Sequence, residues 1–153
     1  MQTAKKIFEG SAVDLVIKFI DGFNRHDISV YELFSKDWVW QDPGGLEPEG
    51  GWERGQKGIQ VFMEAFNLRF EPSSFVGSTD RVAVEGIFNG KFQKPLTSFG
   101  GKDVNIPPTN KPLKVSASLF FYINEKGLIS KLDLYWDNLE FFGQIGLRPE
   151  QLR

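Results

Sequence analysis

Asp133, Tyr135 and Asp137 alternate with Leu132, Leu134 and Trp136 near the C-terminus. This is the spacing of a β-strand, whose successive side chains leave opposite faces. One face therefore gathers two carboxylates and a phenol, groups able to move a proton at a ligand held beside them. The same alternation fits a strand that buries its Leu and Trp set and shows its acids to solvent, and the pattern alone leaves both arrangements open. Distance narrows the chemistry. At ~3.3 Å per residue, Asp133 and Asp137 stand roughly 13 Å apart along the strand. That is too far to share a proton and beyond the ~5 to 9.5 Å of paired glycosidase carboxylates. Acid and base work must then rest on one carboxylate with neutral helpers, of which Tyr135 is the nearest.

Asp137 has a second possible role. Asp137-Asn138-Leu139-Glu140 has the form of a capping box, with Asp137 as the N-cap of a terminal helix and Glu140 at its third position. Capping favours the ionised carboxylate and makes a weaker base, whereas burial against Phe and Trp would raise its proton affinity. The two roles compete for one side chain.

The elements that would position these groups can be read from periodicity. Val13, Val16, Ile17, Ile20 and Phe23 predict a helix over residues 11–24, with Ser11 as its N-cap. A second short helix follows Asp27, with Ile28, Tyr31 and Phe34 on one side, and residues 37–42 form a Trp- and Val-rich strand that stops at Pro43-Gly44-Gly45. Residues 43–51 form a loop. Ile59, Phe62, Met63, Phe66 and Phe70 predict a third helix ending before Pro72. The period then changes to two, giving strands at 75–76, 81–88, 113–124 and 128–136, the last pair joined through Asn124-Glu125-Lys126-Gly127. Residues 92–110 make a Gly- and Pro-rich excursion too long for a tight turn. Helices followed by an antiparallel meander define an α+β domain, one spanning residues 1–153. Trp40, Gln41 and Trp52 are further binding candidates, on the first strand and the loop after it. Which first-strand set, Trp38 with Trp40 or Val39 with Gln41, faces inward is left open.

Composition bounds the function. The chain has 41% hydrophobic and 25% charged residues, a globular balance with no apolar run approaching the ~18 residues of a membrane span. Its start, Met1-Gln2-Thr3-Ala4-Lys5-Lys6, lacks the apolar stretch of a secretory signal, so a cytoplasmic protein is expected. A net charge of −2 with both signs interspersed gives no reason to bind nucleic acid. The absence of cysteine and the single histidine, His26, remove thiolate chemistry and most metal sites. Fifteen phenylalanines fill a core or line a cavity for an apolar ligand.

The turn Ile106-Pro107-Pro108-Thr109-Asn110-Lys111-Pro112 and the tail from Tyr135-Trp136-Asp137 to Gly146-Leu147 resemble the SnoaL-like polyketide or ester cyclase family, of the nuclear-transport-factor-two-like superfamily. Phe23-Asn24-Arg25-His26-Asp27, residues 37–43, Arg54-Gly55 through Phe62, and Asp80-Arg81-Val82-Ala83-Val84 extend the resemblance over roughly residues 11–147. It implies a cone-shaped α+β barrel, a curved antiparallel sheet wrapped on N-terminal helices with a short C-terminal helix. It also implies a homodimer and cofactor-free cyclase or isomerase chemistry on an apolar carbonyl compound, with Asp137 as general acid/base. Gln41 and Val115-Ser116-Ala117-Ser118 stand where family members often carry histidines, and these side chains do not titrate near neutrality. A binding protein holding a small hydrophobic molecule in the same pocket, without chemistry, is the alternative.

Overall fold

A computed structural model describes residues 5–6, 11–41, 49–51, 55–99, 102–148 and 150. In chain order the elements are β1 (Lys5–Lys6), α1 (Ser11–Asn24), a 3-10 helix (Ile28–Leu33), β2 (Phe34–Gln41), β3 (Glu49–Gly50), α2 (Gln56–Phe66), β4 (Arg69–Gly77), β5 (Arg81–Lys91), β6 (Leu96–Phe99), β7 (Lys102–Ile106), β8 (Pro112–Ile123), β9 (Ile129–Trp136) and α3 (Asn138–Ile145). The main sheet runs β1-β4-β5-β8-β9-β2-β3. No helix among the described residues is long and apolar enough to cross a membrane.

The expected antiparallel meander is β4, β5, β8 and β9. At its edge β2 joins β9 in parallel, and the two-residue β1 joins β4 in parallel. Parallel neighbours need a long connection rather than a hairpin, and here β2 and β9 lie at opposite ends of the sequence. One face of this sheet is apolar because the strands alternate in step. Phe121, Leu119 and Ala117 on β8 sit opposite Leu132, Leu134 and Trp136 on β9, and Val82, Val84 and Phe88 continue the row on β5. Helices α1 and α2 bury their apolar stripes against the fold, through Val13, Val16, Phe19 and Ile20 on the first and Ile59, Met63 and Phe66 on the second.

Several boundaries differ from the sequence expectation: β2 begins at Phe34, β4 spans Arg69–Gly77, and Glu49–Gly50 of the expected loop pair with β2, while residues 43–48 lie outside the described residues. Helix α2 stops at Phe66 because Asn67 takes the left-handed conformation (φ 45°) and its N–H donates to the Met63 carbonyl. Phe70, which continues the helical spacing, belongs instead to β4. The Asn24 side chain at the end of α1 holds it there: Nδ2 donates to the Phe70 carbonyl and Oδ1 accepts from the Phe70 N–H, each at 2.7 Å. The excursion at 92–110 contains a hairpin of its own, β6 with β7, whose Leu96, Phe99 and Ile106 are buried.

Helix α3 is fixed to the sheet by polar contacts as well as by Phe141, Phe142 and Ile145. Gln144 accepts from the Lys114 N–H at 2.6 Å and donates to the Lys114 carbonyl at 2.9 Å. Thr109 of the proline turn donates to the Ile145 carbonyl at 2.6 Å. Gly146 then ends the helix at φ 76°, a conformation that glycine adopts without the clash of a Cβ. Gly86 meets a different demand: a Cβ there would strike the Glu71 carbonyl and the Phe70 ring, so its absence lets Phe70 lie across the sheet.

Candidate functional site

Between the concave sheet face and the helices lies a cavity. Helix α1 contributes Phe19, Ile20 and Phe23, and α2 contributes Ile59, Phe62 and Met63. The sheet supplies Trp40 from β2, Phe70 from β4, Phe88 from β5, Leu119 from β8, and Leu132, Leu134 and Trp136 from β9, with Leu68 completing the wall. Every one of these side chains is apolar or aromatic. The centre of a water-sized sphere can move through about 60 Å³ of the hollow, so it is larger than a single-water void. That is room for about one small ring or a short chain. Trp136 is held in the wall by stacking on Phe141 (4.5 Å between centroids, 21°) and by edge contact with Phe88 (5.6 Å).

The inward set of the last strand is thus Leu132, Leu134 and Trp136. Asp133 and Tyr135 point to the opposite, outer face. Trp40 lines the cavity, while Gln41, directly opposite Asp133 in register, shares the outer face with it. Trp52 lies outside the described residues. The sequence reading overlooked the α1 contribution and the aliphatic positions Leu119, Leu132 and Leu134. Their signal was present as the apolar half of each alternation, which reads first as ordinary core.

On the outer face Asp133 is nonetheless buried, at 5% exposure. Its Oδ2 accepts from the Tyr122 hydroxyl at 3.2 Å. Its Oδ1 lies 3.6 Å from the Lys131 ammonium, an ion pair without hydrogen-bond geometry. Tyr122 accepts in turn from Arg81 at 3.0 Å, and the Arg81 and Lys131 cations lie over its ring at 4.5 and 5.0 Å. Tyr135, 47% exposed, packs edge-on against Phe120.

Asp137 is exposed and caps α3. With extended backbone (φ −84°, ψ 105°), its Oδ1 accepts from the N–H groups of Leu139 at 2.9 Å and Glu140 at 3.1 Å. Glu140 accepts from the Gln144 side chain instead. Asp137→Ala should therefore lower stability by about 0.5–2 kcal/mol while Asp137→Asn, an equally good cap, leaves it nearly unchanged. Denaturant midpoints of the three proteins check this.

Behind the wall sits one buried phenol. Tyr31, 3% exposed, donates to the sulfur of Met63 at 3.5 Å. Burial pushes its proton affinity up from the ordinary value of 10.0, because an unsolvated phenolate is unfavourable. Up to pH 10 the phenol is neutral in both states and its contribution is intact. Above pH 10 the unfolded chain releases the proton and the folded chain does not, so stability falls as pH rises. Tyr31→Phe should flatten that alkaline decline by up to about 1.4 kcal/mol per pH unit, measured by thermal unfolding between pH 9 and 11.

A curved sheet closed by two helices over an apolar hollow is an architecture shared by many proteins. The model of the SnoaL-like domain family matches residues 16–132, and the chain belongs to that family. Among solved structures, a candidate SnoaL-like polyketide cyclase from Jannaschia sp. CCS1 is similar at a TM-score of 0.76 and 18% identity, over 97% of this chain and 100% of that one. A candidate polyketide cyclase from Xanthomonas campestris pv. campestris is similar at 0.70 and 19%, over 88% and 96%. AclR, a candidate hydroxylase from Streptomyces galilaeus, is similar at 0.69 and 19%, over 90% and 97%. No curated protein matches the chain. Identities this low carry the fold rather than the activity.

Proposed function

We propose that the chain binds a small apolar molecule, about one ring in size, in this cavity. The observation that carries the reading is the wall itself: every described residue lining it is apolar or aromatic, and none is ionisable. Such a surface gains from displacing water and offers no described group to exchange a proton with the occupant. Mass spectrometry of the freshly purified protein under native conditions tests it. A stoichiometric apolar adduct, recovered unchanged after incubation, is expected. Failure to take up any small hydrophobic compound, even when added in excess, would overturn the reading.

Cyclase- or isomerase-type chemistry on an apolar carbonyl compound is a second reading, favoured by one position. Asp137 follows directly on Trp136, a wall residue, and the family and its cyclase-like neighbours supply the precedent. In this reading Asp137 removes a proton alpha to a carbonyl, the carbanion attacks a second carbonyl of the same molecule, and the acid returns the proton. Asp137→Asn would then abolish turnover at unchanged ligand affinity. Unchanged turnover would remove Asp137 from the mechanism. The family resemblance also implies a homodimer, which light scattering on the purified protein tests.

A further inference from the structure

A wholly apolar wall discriminates between ligands by shape alone, unless a polar group stands just behind it. Tyr31 is such a group. It is buried, its hydroxyl touches Met63, and Met63 lines the cavity. A thioether sulfur is a weak acceptor, so the phenol gives up little when it exchanges sulfur for an oxygen. Methionine is also the side chain most able to move, being unbranched with three rotatable bonds. Next to Tyr31 the Trp38 ring stacks at 6.3 Å and 19°. Its indole N–H is fully buried and has no hydrogen-bond partner among the described residues. Buried donors normally find an acceptor, and this corner of the molecule holds two that are underused.

We infer that Tyr31 is the hydrogen-bond donor that recognises an oxygen on the bound molecule, reached when Met63 swings off it, so that the cavity selects ring-sized carbonyl or ether compounds over hydrocarbons of the same shape. This rests on the cavity being a ligand site. Burial keeps the phenol protonated and able to donate at any physiological pH. The neighbouring rings of Phe19, Phe34 and Trp38 fix its position, so a ligand oxygen would meet a donor already oriented.

Cyclohexanone and methylenecyclohexane, matched in shape and differing in an oxygen for a methylene carbon, test it by calorimetric or NMR titration. The quantity read is the ratio of their two dissociation constants. In Tyr31→Phe that ratio should move against the ketone by about five- to tenfold, the effect of one neutral hydrogen bond, with hydrocarbon affinity within about twofold. In Met63→Ala, which removes both the sulfur acceptor and the side chain covering the phenol, it should move toward the ketone. A ratio unchanged in both variants overturns the inference and leaves the cavity reading standing. If neither probe binds the native protein, the cavity reading falls and the inference with it. Should Tyr31→Phe fail to fold, an unchanged ratio in Met63→Ala is by itself enough to overturn the assignment.

Discussion

Substituting Phe66 with alanine will lower folding stability by about 3–5 kcal/mol, the cost of deleting a fully buried ring whose space cannot collapse. Phe66 is 0% exposed and lies at the junction of three parts of the fold. Its ring meets Phe62 on α2 at 4.7 Å, Phe92 after β5 at 4.8 Å and Phe141 on α3 at 5.3 Å. Through Phe141 it supports Trp136, and through Phe62 it supports the α2 side of the cavity. The loss should appear as a lower denaturant midpoint at unchanged slope. A loss below about 1 kcal/mol would mean that this junction does not hold the helices over the sheet.

Leu134→Phe will weaken binding of methylenecyclohexane at least about tenfold while folding stability stays within about 1 kcal/mol of the native value. The added ring enters space that is already empty, so the usual penalty for overfilling a core is largely avoided. Leu134 sits on the central stretch of β9, opposite Leu119, with both side chains on the cavity wall. The hollow has room for about one ring, and a side chain that fills it competes directly with a ligand. Titration of the variant and the native protein side by side reads the change. Equal affinity would place the ligand elsewhere.

Much of this arrangement was legible in the sequence, for identifiable reasons. The alternation at 132–137 follows from the two-residue period of a strand, and the capping role of Asp137 follows from an acid three positions before Glu140. What the strand alone could not decide was which set faces inward. That is settled by the partner strand of the hairpin: Ala117, Leu119 and Phe121 on β8 stand opposite Trp136, Leu134 and Leu132, and together they make the apolar side. The outer face then receives Asp133, which finds Tyr122 and Lys131. The Tyr122 contact crosses from β8 to β9 and is not revealed by the last strand's own sequence, whereas Lys131 lies two residues from Asp133 on the same strand.

The end of α2 departs from its apolar rhythm for a similar reason. Leu68 and Phe70 keep an apolar rhythm that a helix could use, but Asn67 breaks the helix locally, and Asn24, from 46 residues away, takes over the Phe70 backbone. The β6–β7 hairpin was obscured because its strands are short and lie in a Gly- and Pro-rich stretch, where composition suggests only a loop. The parallel placement of β2 beside β9 leaves no local mark at all, since neither strand's sequence records its neighbour's direction. Tyr31 and Met63 read separately as helix-face residues, and only the packing of the 3-10 helix against α2 brings them together.

The most direct test of the account is a methyl NMR titration with methylenecyclohexane. Saturable shifts are predicted on Ile20, Ile59, Met63, Leu119, Leu132 and Leu134, which line the hollow, and none on the exposed Val76 and Leu139. Shifts confined to the exposed methyls, or no saturable shift at all, would contradict it.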